Sequence, residues 1–163
     1  MDRLIEDRWT NEIHDEWIRG LAARAPAIPR ERLEATRSLM NEALPTATIR
    51  GYEGHIAAVS LPDPGDRHVV AAAIAADASI ILTRNFRHFP VKELRKFGLR
   101  RETPDAFLSG LYDEAPGLMI GSLANARRNL SKTKISTVDF LVILRNQNLV
   151  ELAKRAEKHL TGL

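Results

Sequence analysis

Leu61-Pro62-Asp63-Pro64-Gly65-Asp66-Arg67-His68-Val69-Val70-Ala71-Ala72-Ala73-Ile74, continued by Ile80-Ile81-Leu82-Thr83-Arg84-Asn85-Phe86-Arg87-His88-Phe89-Pro90, decides the fold. Two prolines and a glycine make 61–66 a turn-rich loop. Five alanines (Ala71, Ala72, Ala73, Ala75 and Ala76) favour a helix from Arg67 to Ala76. Their small side chains let that helix lie close against a neighbouring layer. Ser79–Thr83 is a short continuous apolar run of the kind found in buried parallel strands. Loop, helix and strand in this order predict an α/β layer fold, in which ligands gather at the carboxyl ends of the strands. Thr83 and Asn85 fall there, and Asp66 reaches the same edge if its helix runs antiparallel back into the strand.

On the N-terminal side, Ile13, Trp17, Ile18 and Leu21 give Asn11–Arg24 a helical apolar stripe, with Thr10 as N-cap. The stretch Ala25–Pro29 stops that helix and starts a second over Arg30–Ala43. A short strand is expected at Ala47–Arg50, ending at Gly51. On the C-terminal side the spacing predicts a helix over Pro90–Phe97 closed by Gly98, a strand near Leu99–Glu102 and a helix over Pro104–Tyr112. Three more helices are expected at Pro116–Leu130, Val138–Gln147 and Leu149–Leu160, the middle one capped by Ser136. The organisation read from this is an α/β body over residues 1–114 and a helical extension over 115–163.

Composition excludes several classes. Without cysteine there is neither a disulfide nor a thiolate zinc site. No apolar run approaches the roughly 18 residues of a bilayer span, and no signal-peptide pattern opens the chain. A cytoplasmic protein with no membrane association is therefore expected. The net charge is only +3, but its distribution is uneven. Arg84, Arg87, His88, Lys92, Arg95, Lys96, Arg100 and Arg101 crowd one stretch, and Arg127, Arg128, Lys132 and Lys134 another. Such runs are ordinarily solvated faces, yet they permit a phosphate-rich partner.

Oxygen donors converging at a strand edge, with no sulfur and no histidine pair, are what Mg²⁺ or Mn²⁺ prefers. Each donor also has an ordinary structural role. Asp66 at a helix start is the usual place for a cap, and Asp63 before proline is a typical turn residue. Asn85 can close a turn in left-handed geometry. Glu16, between Asp15 and Trp17, borders the apolar face of the first helix, although periodicity alone favours a surface glutamate.

The run Leu61–Phe89 closely resembles the second half of a PIN domain, and Ile13-His-Asp-Glu-Trp-Ile18 resembles that family's acid-bearing helix. The likeness extends more loosely through Thr103-Pro-Asp-Ala-Phe-Leu108 to the helical tail of a bacterial subgroup. It implies a twisted parallel sheet flanked by helices and a VapC-like endoribonuclease, the toxin of a type II toxin–antitoxin system. Carried over residue by residue, the family's glutamate falls on Glu16 and its metal-binding aspartate on Asp66. The acid-or-asparagine position falls on Asn85, with Thr83 nearby and Asp63 auxiliary. The resemblance further implies one or two Mg²⁺ or Mn²⁺ ions that activate water and stabilise charge on the scissile phosphate. RNA would be held by Arg84, Arg87, Lys92 and Arg95, with an antitoxin protein as partner.

The pattern departs from the family at its start. About 15 residues precede Glu16, where the family has an apolar strand ending in an aspartate and then a helix. Asp2, Glu6 and Asp7 lie in no apolar strand. An incomplete sheet invites pairing with a second copy, so a homodimer is expected, with activity impaired by the missing aspartate. The alternative reading is a catalytically inactive PIN-like module acting through protein or RNA binding. A helical DNA-binding protein fits less well, because Phe140-Leu-Val-Ile-Leu144 suits a core better than a groove.

Overall fold

Thr10 accepts the backbone N–H of Ile13 at 3.1 Å and so starts α1 (Asn11–Arg24), as its hydroxyl predicts. The computed structural model describes residues 5–130 and 135–163; Asp2, Lys132 and Lys134 lie outside them. Helix α2 (Arg30–Ala43) follows Pro29 as expected. A polar network links these elements. Trp17 Nε1 donates to His14 Nδ1 at 2.9 Å, and Asn41 Oδ1 accepts from Trp9 Nε1 at 2.8 Å and from Thr48 Oγ1 at 3.2 Å. His14 Nε2 lies 3.3 Å from the same Asn41 oxygen. With Nδ1 occupied as an acceptor, the proton of the buried neutral ring sits on Nε2.

The expected strand at Ala47–Arg50 is reduced to a single parallel bridge between Trp9 and Thr48. Pro45 and Gly51 confine the extended stretch to a few residues, too short for a ladder. Beyond it, a 3₁₀ helix over Glu53–Ala58 packs against α3 (Arg67–Ala75), the alanine-rich helix. Val70 and Ala71 are wholly buried there, which is what small side chains at a close layer contact allow.

The sheet is small. Strands β1 (Ile80–Leu82) and β2 (Arg100–Glu102) pair in parallel, with Arg100 N–H donating to the Ser79 carbonyl and Thr83 N–H to that of Glu102. The molecule is thus mixed α/β but mostly helical, and among the described residues the flanking helices have only this two-stranded sheet. Between the strands, α4 (Val91–Leu94) tightens into a 3₁₀ turn that Gly98 closes at φ 71°, a left-handed position suited to glycine. Buried Glu93 accepts the Ser60 backbone N–H at 2.9 Å and pairs with Lys96, fastening the loop before Leu61 to α4.

Two compact units result, Met1–Ile81 with Asn85–Arg101, and Leu82–Arg84 with Glu102–Leu163. The first has a core of Val59, Leu61, Val70, Ile81, Phe89, Leu94 and Leu99. The second comprises α5 (Pro104–Glu114), α6 (Pro116–Asn129), α7 (Thr137–Asn146) and α8 (Val150–Ala156). Its core gathers Met119, Phe140, Leu141, Leu144 and Leu152. Within it, helix α5 packs on α6 and α8. Ser136 caps α7 as its sequence predicts, accepting the Asp139 N–H at 3.1 Å. No helix among the described residues is long and apolar enough to cross a membrane.

Candidate active site

The loop before α3 sets the first two acids. Asp63 caps a 3₁₀ turn over Pro64–Asp66, where its Oδ1 accepts the Gly65 N–H at 2.8 Å. This is the turn role its position before proline predicts. Its second oxygen, Oδ2, lies 3.8 Å from His88 Nδ1.

Asp66 behaves differently. It occupies the N-cap position of α3 but makes no side-chain cap bond. Its Oδ2 lies 2.7 Å from His88 Nδ1, a charge-assisted contact with the ring N–H as donor. A turn after β1 delivers that histidine: His88 N–H donates to the Asn85 carbonyl at 3.2 Å and Phe89 N–H to that of Phe86 at 3.3 Å. The backbone of Asn85 thus closes the turn that aims His88. One donor atom from each of Asp63, Asp66 and His88 lies within 4.8 Å of the other two. Two carboxylates and an imidazole fit a divalent cation, and the nitrogen favours Mn²⁺ or another first-row ion over Mg²⁺.

Glu16 joins a second group in the same unit. It is half-buried on α1, with Oε1 3.1 Å from His68 Nε2. The other ring nitrogen, Nδ1, lies 3.6 Å from Glu12 Oε2, and that same oxygen accepts the Tyr52 hydroxyl at 3.0 Å. His68 is 3% exposed and neither ring nitrogen has hydrogen-bond geometry to any partner. Glu16 lies within contact distance of the ring yet is misaligned for a hydrogen bond. Because His68 is two residues past Asp66, Glu16 faces the first turn of the helix that Asp66 opens.

The remaining expected residues separate. Thr83 is half-buried, and it groups with Arg84 in the second unit while Asn85 belongs to the first. Arg84 Nη2 donates to the Gln147 carbonyl at 2.5 Å within that second unit. Arg87, Lys92 and Arg95 are exposed. Reasoning from sequence places His88 only among the basic residues and passes over His68 and Glu12. Two signals pointed to the histidines. His88 falls three residues after Asn85, the span of one tight turn. His68 shares a helical face with Ala71 and Ala72, so periodicity alone makes it a buried polar residue.

Comparison with known proteins supplies relatives for both parts of the chain. A family model described as PIN domain matches residues 2–87, and one described as VapC50 C-terminal domain matches residues 104–158. The protein named "Putative ribonuclease VapC50" from Mycobacterium tuberculosis (strain ATCC 25618 / H37Rv) is 34% identical over 127 residues, covering 75% of each chain. No solved structure matches.

Proposed function

The chain belongs to the PIN-domain family, and from that premise we propose that it is a divalent-metal-dependent endoribonuclease, the toxin of a type II toxin–antitoxin pair. The observation that carries this reading is the behaviour of Asp66. An aspartate at a helix N-cap that forgoes the cap, and instead joins Asp63 and His88 in one cluster of donor atoms, supports a ligating role over a helix-capping one. Asp66, Asp63 and His88 would hold the ion, Mn²⁺ or Mg²⁺. When bound, it supplies water activation and stabilisation of charge on the scissile phosphate.

Glu16 contributes a further carboxylate at the same helix end, as the family resemblance assigns, with Asn85 as a flanking polar group. Arg87, Lys92 and Arg95 hold RNA phosphates as charged, salt-sensitive contacts. Arg84 is a weaker candidate for that role, since its guanidinium already donates to Gln147. An antitoxin protein and a second copy of the chain complete the proposal. Exposed apolar residues, Leu39 on α2 in the first unit and, separately, Leu118 on α6 in the second, support association at either one.

The test is cleavage of an end-labelled panel of single-stranded RNAs by the full chain, with Mn²⁺, with Mg²⁺ and after EDTA. The expected result is metal-dependent cleavage that falls by about 100-fold or more in Asp66→Asn, since losing even an outer-shell partner of a metal ligand costs roughly 10- to 100-fold. Cleavage that survives both EDTA and Asp66→Asn would overturn the metal mechanism. Absence of cleavage by the unaltered chain under every condition would leave a non-catalytic PIN module.

A further inference from the structure

Phe86 is an exposed aromatic residue in the loop that delivers His88. It retains 39% exposure and, with Val91, Leu94 and Leu99, forms the apolar floor of a groove of about 340 Å³ bordered by Arg95 and Arg100. The Arg101 guanidinium stacks 4.4 Å from the centre of the Phe86 ring and donates to the carbonyls of Phe86 and Phe89. Those bonds pin the loop, so the ring is held before any ligand arrives, and a preorganised contact costs less to form.

The charge around the groove is one-sided. Residues 85–101 carry six lysines and arginines against a single carboxylate, Glu93, which Lys96 pairs. The net charge of this short stretch exceeds the +3 of the whole chain. Arg101 meets carbonyl oxygens rather than a carboxylate, so its charge is not cancelled. Arg95 is exposed and forms no ion pair among the described residues.

We infer that this groove is a nucleotide subsite for single-stranded RNA, in which one base stacks on Phe86 and its phosphate lies on Arg95. An aromatic face beside the guanidinium groups of Arg95 and Arg101, neither of which meets a carboxylate among the described residues, is the arrangement that binds single strands without sequence readout. The volume is at the small end of ligand cavities, suited to one planar group rather than to the face of a helix. Position agrees with the chemistry. Phe86 is two residues from His88, within about 7 Å along the chain, so a strand with a phosphate at the Asp66–His88 group brings a neighbouring base to the ring. The inference rests on the proposed ribonuclease reading and adds where the strand runs beyond the reacting phosphate.

The experiment is fluorescence anisotropy of a labelled 12-nucleotide single-stranded RNA with the full chain, in EDTA so that the strand stays intact, over a series of salt concentrations. Phe86→Ala is expected to weaken binding by about 5- to 150-fold at fixed salt, the range that loss of one base–aromatic stack produces, while leaving the salt dependence unchanged. Arg95→Gln is expected to reduce the slope of log K against log salt by about 0.7, one single-strand phosphate contact. Phe86→Trp keeps an aromatic face; it is expected to retain affinity and to show RNA-dependent quenching beyond that of the unaltered chain. That quenching reports stacking whether or not Phe86→Ala is fully stable.

RNA binding that is indifferent to Phe86→Ala, with no added quenching in Phe86→Trp, overturns the subsite and leaves the ribonuclease reading standing. Failure of the unaltered chain to bind RNA at all removes both. If Phe86→Ala spares RNA binding but abolishes capture of an amphipathic Leu/Glu peptide, the groove is a protein dock and the inference is wrong.

Discussion

Asp66 and His68, two residues apart, show how far a side chain's role depends on what faces it. Asp66 stands where aspartates ordinarily cap a helix, and its carboxylate meets His88 instead. His68 is buried between Glu12 and Glu16 with neither ring nitrogen bonded. An unsatisfied buried donor or acceptor is costly, so hydrogen bonding by the ring does not add to stability. His68→Leu should therefore leave the fold as stable, or more stable by roughly 1 kcal/mol, because an apolar side chain of similar size removes the unpaired nitrogens. On the proposed reading it should also lower Mn²⁺ affinity by about 10-fold or more, through loss of the group that faces Glu16. Thermal denaturation paired with calorimetric Mn²⁺ titration separates the two effects. A destabilised variant with unchanged Mn²⁺ affinity would make His68 a packing residue only.

At the scale of elements, helix termini account for much of the local order, and not all of them are capped from within. Thr10, Thr103 and Ser136 cap their own helices, the first and last as their positions in sequence predict. Helix α8 has Leu149 at its N-cap position and no side-chain cap of its own. Asp105, in the first turn of α5, supplies it from a distance. Its two oxygens accept the Glu151 N–H at 3.0 Å and the Leu152 N–H at 2.9 Å. A carboxylate on two orphan donors at a positive helix end is favourable in both hydrogen bonding and dipole terms. Asp105→Ala is expected to destabilise the C-terminal unit by about 1–2 kcal/mol, the usual worth of a cap; Asp105→Asn should recover part of it. Urea unfolding followed by circular dichroism measures both. Nothing in the local sequence of α8 announces this cap, because its partner lies 46 residues away.

For the whole molecule, the shifted groups combine into one expected pH profile. Burial holds the His14 ring below the usual histidine range, with Asn41 opposing in part. A depressed histidine contributes stability that is full above its unfolded value, about 6.5, and lost as pH falls through the folded one. The bond from Lys96, then that from Ser60, holds Glu93 below the usual carboxylate range, and Arg155 does the same for Asp113. Their contributions are present above about pH 4.5 and disappear at lower pH. Burial, then the bond to Glu12, raises Tyr52; its contribution is present below about pH 10 and lost as pH rises further. Stability should therefore be flat between about pH 6.5 and 10 and fall on the acid side in two stages. His14→Gln, which can still accept from Trp17 and donate to Asn41, should remove the first stage only. Melting temperature measured across pH for both proteins is the check; an unchanged first stage in the variant would mean that another group titrates there.

Residues Leu61 to Pro90 by themselves determined the loop, the alanine-rich helix, the strand and the resemblance that led to the family, because each rests on local properties. Proline and glycine restrict backbone angles, alanine favours helix, and an apolar run seeks burial wherever the chain goes. The same local signals placed Thr10, Ser136 and Gly98 at their helix ends. What only the tertiary structure decided is pairing across distance. Ala47–Arg50 found one bridging residue rather than a ladder, since a strand forms only as far as its partner extends. Asp66 met His88, Glu16 met His68, and Asp105 met α8, each across 22 or more residues. A carboxylate's role is set by the charge and donors within a few ångströms of it, and those neighbours are assembled by packing rather than by adjacency in the chain.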